Sequence, residues 1–104
     1  MMHIDAGAVT HNEAASRFEL PVDGELGVLE YVRDGHRIIF THTLVPRRAR
    51  GRGLGAQLAA AAIDYAAANE LQVVPVCWYV AQYVRERPEL RHLLADRRAV
   101  GSSK

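Results

Sequence analysis

Apolar and polar side chains alternate through the first half of the chain, and a three-to-four-residue period takes over in the second. Residues 16–22, SRFELPV, put Phe18 and Leu20 on one side of a short strand. Asp23-Gly24 then supplies a turn and ELGVLEYVR reads as a second strand. Asp34-Gly35 follows, a strong hairpin signal because both central positions of a type I′ turn need positive φ. The next run, HRIIFTHTLV, is long and β-branched. Strict alternation puts His36, Ile38, Phe40, His42 and Leu44 on one of its faces, and Arg37, Ile39, Thr41, Thr43 and Val45 on the other. Both faces are partly apolar, as in a central strand, so the pattern predicts an antiparallel meander of three or more strands.

Pro46 stops the third strand. After an Arg/Gly stretch, LGAQLAAAAIDYAAANE is dense in alanine and predicts a helix with Leu54, Leu58, Ala62 and Tyr65 along one face and Asn69 as its stop. LQVVPVC reads as a buried strand containing Pro75, and a proline that withholds a ladder hydrogen bond suits a place where two neighbouring strands part. WYVAQYVRER predicts a further helix and PELRHLL a short helical piece opened by Pro88. The order β-β-β-α-β-α gives a mixed α/β (α+β) fold.

Composition narrows this to one domain: 104 residues, 49% hydrophobic, suffice for a single core and no more. No segment approaches the roughly 20 apolar residues of a membrane span. The start, MMHIDAGAVTHNEAAS, has no basic region followed by an apolar one, so a cytoplasmic address is expected. Residues 1–12 and 98–104 read as loosely held ends. Cys77 is the one cysteine, which excludes an internal disulfide and gives no sign of a metal-thiolate site. A net charge of +1 argues against nucleic-acid binding as the main activity. The charge is unevenly spread, however, and Arg47, Arg48, Arg50 and Arg52 within six positions make a local anion site plausible.

Those arginines stand in VPRRARGRGLGAQL, just ahead of the alanine-rich helix. A glycine-rich turn that runs into a helix N-terminus is an anion cradle, since the first helical amides lack partners and the macrodipole is positive there. Gly53 and Gly55 would let a diphosphate approach without a Cβ in the way. The spacing is R-x-x-G-x-G, Arg50 to Gly55, without the Lys-Ser/Thr of a P-loop or the third glycine of a dinucleotide fingerprint. On spacing alone, a glycine-rich connection with solvated arginines remains the alternative.

The stretch HTLVPRRARGRGLGAQL resembles the acyl-CoA-binding segment of the GNAT-type N-acetyltransferases, whose R/Q-x-x-G-x-G/A motif joins a core strand to the helix that holds the CoA pyrophosphate. With RFEL, a meander ending in HT-x-VP, RGRGLG, VVPVC and YVRERPEL in order over residues 11–95, the chain is similar to the short single-domain branch of that superfamily. The resemblance implies a GNAT-like fold and acetyl-CoA as co-substrate. Leu44 and Val45 would be main-chain partners of the pantetheine arm, and Arg50, Gly51, Arg52, Gly53, Leu54, Gly55 and Ala56 would wrap the pyrophosphate. It also implies a V-shaped parting of the strands before and after the loop and its helix. The chain has no room for the helices that usually cover the acceptor side, so that side should be open.

Acetyl transfer to an amine needs a base for the amine, a donor that polarises the carbonyl and a proton for the departing thiolate. The polarising donor would be a backbone amide near Leu44 or Val45. His42, two residues from Leu44, is the first candidate for the base because an imidazole titrates close to neutrality. The alternative is a histidine hydrogen-bonded within the sheet. Glu30, on the second strand, is a weaker candidate for amine binding or proton removal, the alternative being a solvated strand charge. Cys77 is either an acyl-accepting nucleophile, which needs thiolate character, or a small buried hydrophobe. Tyr79 and Tyr83, four apart on the last helix, share a face that would meet the cofactor, with Tyr83 the candidate proton donor and Tyr79 a cofactor contact. Packing is the alternative for both. Trp78 stands where the short branch more often has proline.

The expected function is an acetyl-CoA-dependent N-acetyltransferase acting by direct attack on a polyamine or protein amine, as a monomer or weak homodimer. The alternative is a CoA-binding module with weak or lost catalysis. A nucleic-acid binder working through the arginine loop ranks last, and no membrane or metal partner is expected.

Overall fold

The computed structural model describes residues 9–47 and 53–95. Its strands are β1 (Thr10–Asn12), β2 (Arg17–Val22), β3 (Glu25–Asp34), β4 (Arg37–Leu44) and β5 (Gln72–Pro75), and its helices α1 (Leu54–Ala68) and α2 (Trp78–Arg85). Short 3₁₀ turns occupy Glu13–Ala15 and Pro88–Leu93. The strands form one sheet in sequence order, with β1 to β4 antiparallel and β5 parallel to β4. This is the mixed α/β arrangement the alternation and the helical period predict, with β1 as an addition from within the expected loose N-terminal end. No helix among the described residues is long and apolar enough to cross a membrane.

The two Asp-Gly dipeptides act differently. Asp23 and Gly24 both have positive φ, 52° and 80°, and occupy the two positions between the Val22↔Glu25 pair, as a type I′ turn requires. At the second hairpin Asp34 already pairs with Arg37, so the turn is Gly35–His36 and only Gly35, at φ 61°, has positive φ. The dipeptide marks the hairpin correctly but lies one residue off its centre.

Helix α1 follows from alanine's low side-chain entropy cost and stops where the sequence predicts. Asn69 donates from its backbone and from Nδ2 to the Tyr65 carbonyl, Glu70 turns left-handed at φ 56°, and the Leu71 amide returns to the Ala66 carbonyl. Gln72 then donates to the His36 carbonyl and starts β5 alongside β4. Leu58, Ala62, Ile63 and Ala66 of α1 and Val80 and Val84 of α2 share one buried cluster with Phe18, Leu20, Leu29, Ile38, Phe40 and Val73 of the sheet. Both helices therefore cover the same face. Alanines at the contact let α1 settle close to the strands, at the packing density of an interior.

β1 is held by polar and aromatic contacts. Asn12 donates through Nδ2 to Glu19 Oε2 at 2.9 Å and Arg17 through Nε to the same oxygen at 2.6 Å. On the other side of the strand His11 stacks on Phe18, with ring centroids 4.2 Å apart, and its Nε2 lies 2.6 Å from the Tyr31 hydroxyl. The Asn12 hydrogen bond first, and then Arg17, hold the Glu19 carboxyl below the ordinary glutamate range.

A carboxyl with a lowered folded pKa contributes stability that is present above its unfolded value and lost as the pH falls through its folded value. Glu19→Gln should therefore flatten the acid limb of a stability-against-pH curve below the ordinary glutamate range, measured by urea unfolding at several pH values. In the core, Leu58→Ala should cost about 3 kcal/mol in the same assay at neutral pH.

Candidate active site

The parallel pairing of β4 with β5 runs from Arg37↔Gln72 to Phe40↔Pro75 and ends there. The Cys77 amide makes one last contact, to the Phe40 carbonyl at 2.8 Å, before the chain turns into α2. β4 itself continues through residues 41–44, still paired with β3 on its other edge. The two strands thus part at the proline, as the sequence predicts, and α1 begins beside the gap. The result is a cleft of about 880 Å³ lined by Thr41, His42, Thr43 and Val45 from β4 and its end, Gly53, Leu54 and Gly55 from the start of α1, and Val76, Cys77, Trp78 and Tyr79 beyond β5. That volume lies within the range of small-ligand sites.

Strict alternation fails inside β4. Phe40 pairs with Tyr31 but His42 pairs with Glu30, so Thr41 is an extra residue opposite the Glu30/Tyr31 step. Its hydroxyl donates to the Glu30 carbonyl at 3.3 Å. Such a bulge moves every following side chain to the opposite face. His42 therefore does not share a face with Ile38 and Phe40. It is exposed beside Glu30, on the side away from the helices, while Thr43 pairs with the buried Leu29 and turns toward the core.

Thr43 Oγ1 lies 3.2 Å from Cys77 Sγ and bridges the gap between the diverging strands. Cys77 is the N-cap residue of α2, only 7% exposed, yet it lines the cleft. Both of its sequence readings thus keep a footing: it is buried, and it lines the cleft.

The two described glycines of the loop have separate structural reasons. Gly53 caps α1 with φ 76°, in the left-handed region. Gly55 packs against Tyr79, whose hydroxyl oxygen would lie 2.8 Å from a Cβ at that position. No side chain caps α1, and its first intrahelical amide bond runs from Gln57 to the Gly53 carbonyl. Helix geometry leaves the amides of Leu54, Gly55 and Ala56 pointing out of the N-terminus. Burial, as the leading cause, raises the Tyr79 phenol above the ordinary tyrosine range, so it stays protonated at neutral pH.

The cleft gathers His42, Val45, Gly53, Leu54, Gly55, Cys77 and Tyr79. Leu44 pairs with Val28 and its side chain is 48% exposed, outside the lining, and Ala56, half-buried in the first turn of α1, is outside it too. Tyr83 also lies outside the lining: it packs toward the core with the Arg87 guanidinium 3.7 Å over its ring. Of the two tyrosines, Tyr79 meets the cleft. Arg50, Gly51 and Arg52 lie outside the described residues. Sequence reasoning missed Thr41, Thr43, Val76 and Trp78 as lining residues. The hydroxyls looked like ordinary strand residues because a bulge has no dipeptide signature.

A family model described as GCN5-related N-acetyl-transferase matches residues 17–93, from the start of β2 to the last 3₁₀ turn. The chain belongs to the GCN5-related N-acetyltransferases. Among curated relatives, Protein NATD1 of Mus musculus and Protein NATD1 of Gallus gallus are each 36% identical over 88 residues, covering 82% of this chain and 80% of theirs. Protein NATD1 of Xenopus tropicalis is 34% identical over 88 residues, covering 82% and 81%. All the cleft residues of this acetyltransferase-family domain fall inside the matched span.

The Gly55–Tyr79 contact predicts coupling. Gly55→Ala should cost clearly less stability in a Tyr79→Ala background than in the unsubstituted protein, with an interaction energy of about 1 kcal/mol in a double-mutant cycle. Tyr79→Phe should also remove a late-titrating component from the alkaline ultraviolet titration of the phenols.

Proposed function

We propose that the protein transfers an acetyl group from acetyl-CoA to an amine by direct attack within a ternary complex. The observation that carries this reading is the parting of β4 and β5 directly beside an uncapped helix N-terminus. The α1 amides and its positive dipole end suit a pyrophosphate, and Gly53 keeps a side chain out of the approach. The length of β4 beyond Phe40 offers main chain to an extended arm lying in the gap.

In the transfer, the amine nitrogen forms a bond to the thioester carbonyl carbon, the C–S bond breaks, and the nitrogen gives up a proton. His42, at the exposed end of the cleft, takes that proton. Tyr79 lines the cleft with its hydroxyl pKa raised by burial. Its role is to donate a hydrogen bond to the departing sulfur, which gains its proton from solvent. The placement of Cys77 Sγ against Thr43 supports one variant, in which the thiol first accepts the acetyl group with release of CoA and the amine then takes it.

Calorimetry should detect CoA binding, and thioester consumption should require an amine. His42→Gln should lower kcat about 100-fold with CoA affinity unchanged. Unchanged turnover in Cys77→Ala would leave direct attack as the route, whereas loss of turnover with an acetylated Cys77 in the unsubstituted protein would establish the relay. Absence of any CoA association would sink the acetyltransfer reading.

A further inference from the structure

The sheet face opposite the helices decides which amines this site takes, an inference that rests on the acetyltransfer reading. The Thr41 bulge turns His42 onto that face at the cleft, and the row of residues beside it runs His42, Glu30, Arg17, Asn12 across four strands. Arg17 is committed elsewhere: its Nε and the Asn12 amide both hold Glu19. Arg37 and Asp34, further along the hairpin, offset one another at 3.9 Å. Among the described residues the Glu30 carboxylate has neither a hydrogen-bond nor an ion-pair partner, and it stands next to the imidazole. Among the described residues Glu30 is thus the unpaired carboxylate beside His42 on this face.

Exposed apolar side chains stand along the strands near that carboxylate. Val32, two residues from Glu30 on the same strand face, is 51% exposed, and Leu44, two residues from His42, is 48% exposed. On the lip beyond β5, Val76 is 64% and Trp78 71% exposed, although both are large apolar side chains lining the cleft. Neither helix covers this face among the described residues, because α1 and α2 pack together on the other one. A polycation would bring several charges to a surface that neutralises one, and would cover apolar side chains with ammonium groups that lose water.

We propose that the acceptor is a lysine side chain or α-amine of a peptide whose neighbouring residues are apolar, with Glu30 holding the single ammonium beside His42 and the exposed apolar side chains taking the flanking residues. Glu30 is thus a specificity-determining residue. Polyamines, although amines, are poor acceptors here because the face matches one charge and not three or four.

The test compares three acceptors with saturating acetyl-CoA: a peptide with one lysine between apolar residues, the same peptide with glycines in their place, and spermidine. The apolar peptide should exceed spermidine in kcat/KM by about tenfold or more and the glycine peptide by a smaller factor. Glu30→Gln should raise the KM for the apolar peptide about fivefold and leave kcat within about twofold, while Glu89→Gln, an equal change of charge outside the site, should change neither. Val32→Ser should raise KM for the apolar peptide and not for the glycine peptide. A preference for spermidine, no peptide turnover in a protein that binds CoA, or an unaltered KM in Glu30→Gln with CoA affinity intact would each overturn the inference. Failure of the unsubstituted protein to bind CoA is a different result, which removes the acetyltransfer reading and this one with it.

Discussion

The last rung between two parallel strands governs the rest of the structure. β4 and β5 stay together as far as Phe40 and Pro75, and there the next donor turns back, the Val76 amide bonding to the Val74 carbonyl of its own strand. The Cys77 amide makes a final bond to Phe40 and the chain departs as α2. Everything that lines the cleft is fixed relative to this separation. β4 carries on with its other edge still held by β3, α1 starts beside the opening, and α2 forms the opposite wall. The wedge costs little stability, since the core below it is complete: Phe40, Ile38 and Val73 are wholly buried.

Two helices on one face of a sheet leave the other face to do something else. In a domain of this size a single buried layer is all the hydrophobic material available, and Leu58, Ala62 and Val80 use it on the helical side. The far side keeps paired charges, Arg17 with Glu19 and Arg37 with Asp34, interspersed with exposed Val32 and Leu44. A bulge of one residue is what brings His42 to that side. Without Thr41 the imidazole would point into the core beside Phe40, where the alternation first places it.

Much of this was legible in the chain. The meander, the alanine helix with its stop at Asn69, and the significance of Pro75 all follow from local rules, since each depends on the conformational limits of the residues themselves. Glycine illustrates where the reading stops. Gly53 and Gly55 look alike in the sequence, yet one is required by a left-handed backbone and the other by a phenol that approaches from a helix more than twenty positions later. The second reason is tertiary and no window of sequence contains it. The same holds for β1, whose three residues are kept in the sheet by Glu19 and the ring of Phe18. Tyr79 and Tyr83, equivalent by helical spacing, separate only when Arg87 is seen folded over one of them.

The contact from Thr43 to Cys77 crosses the gap between the strands, and it is made of a hydroxyl and a sulfur, a pair that attracts weakly. A contact of that kind adds little to the stability of the domain, so displacing it costs little.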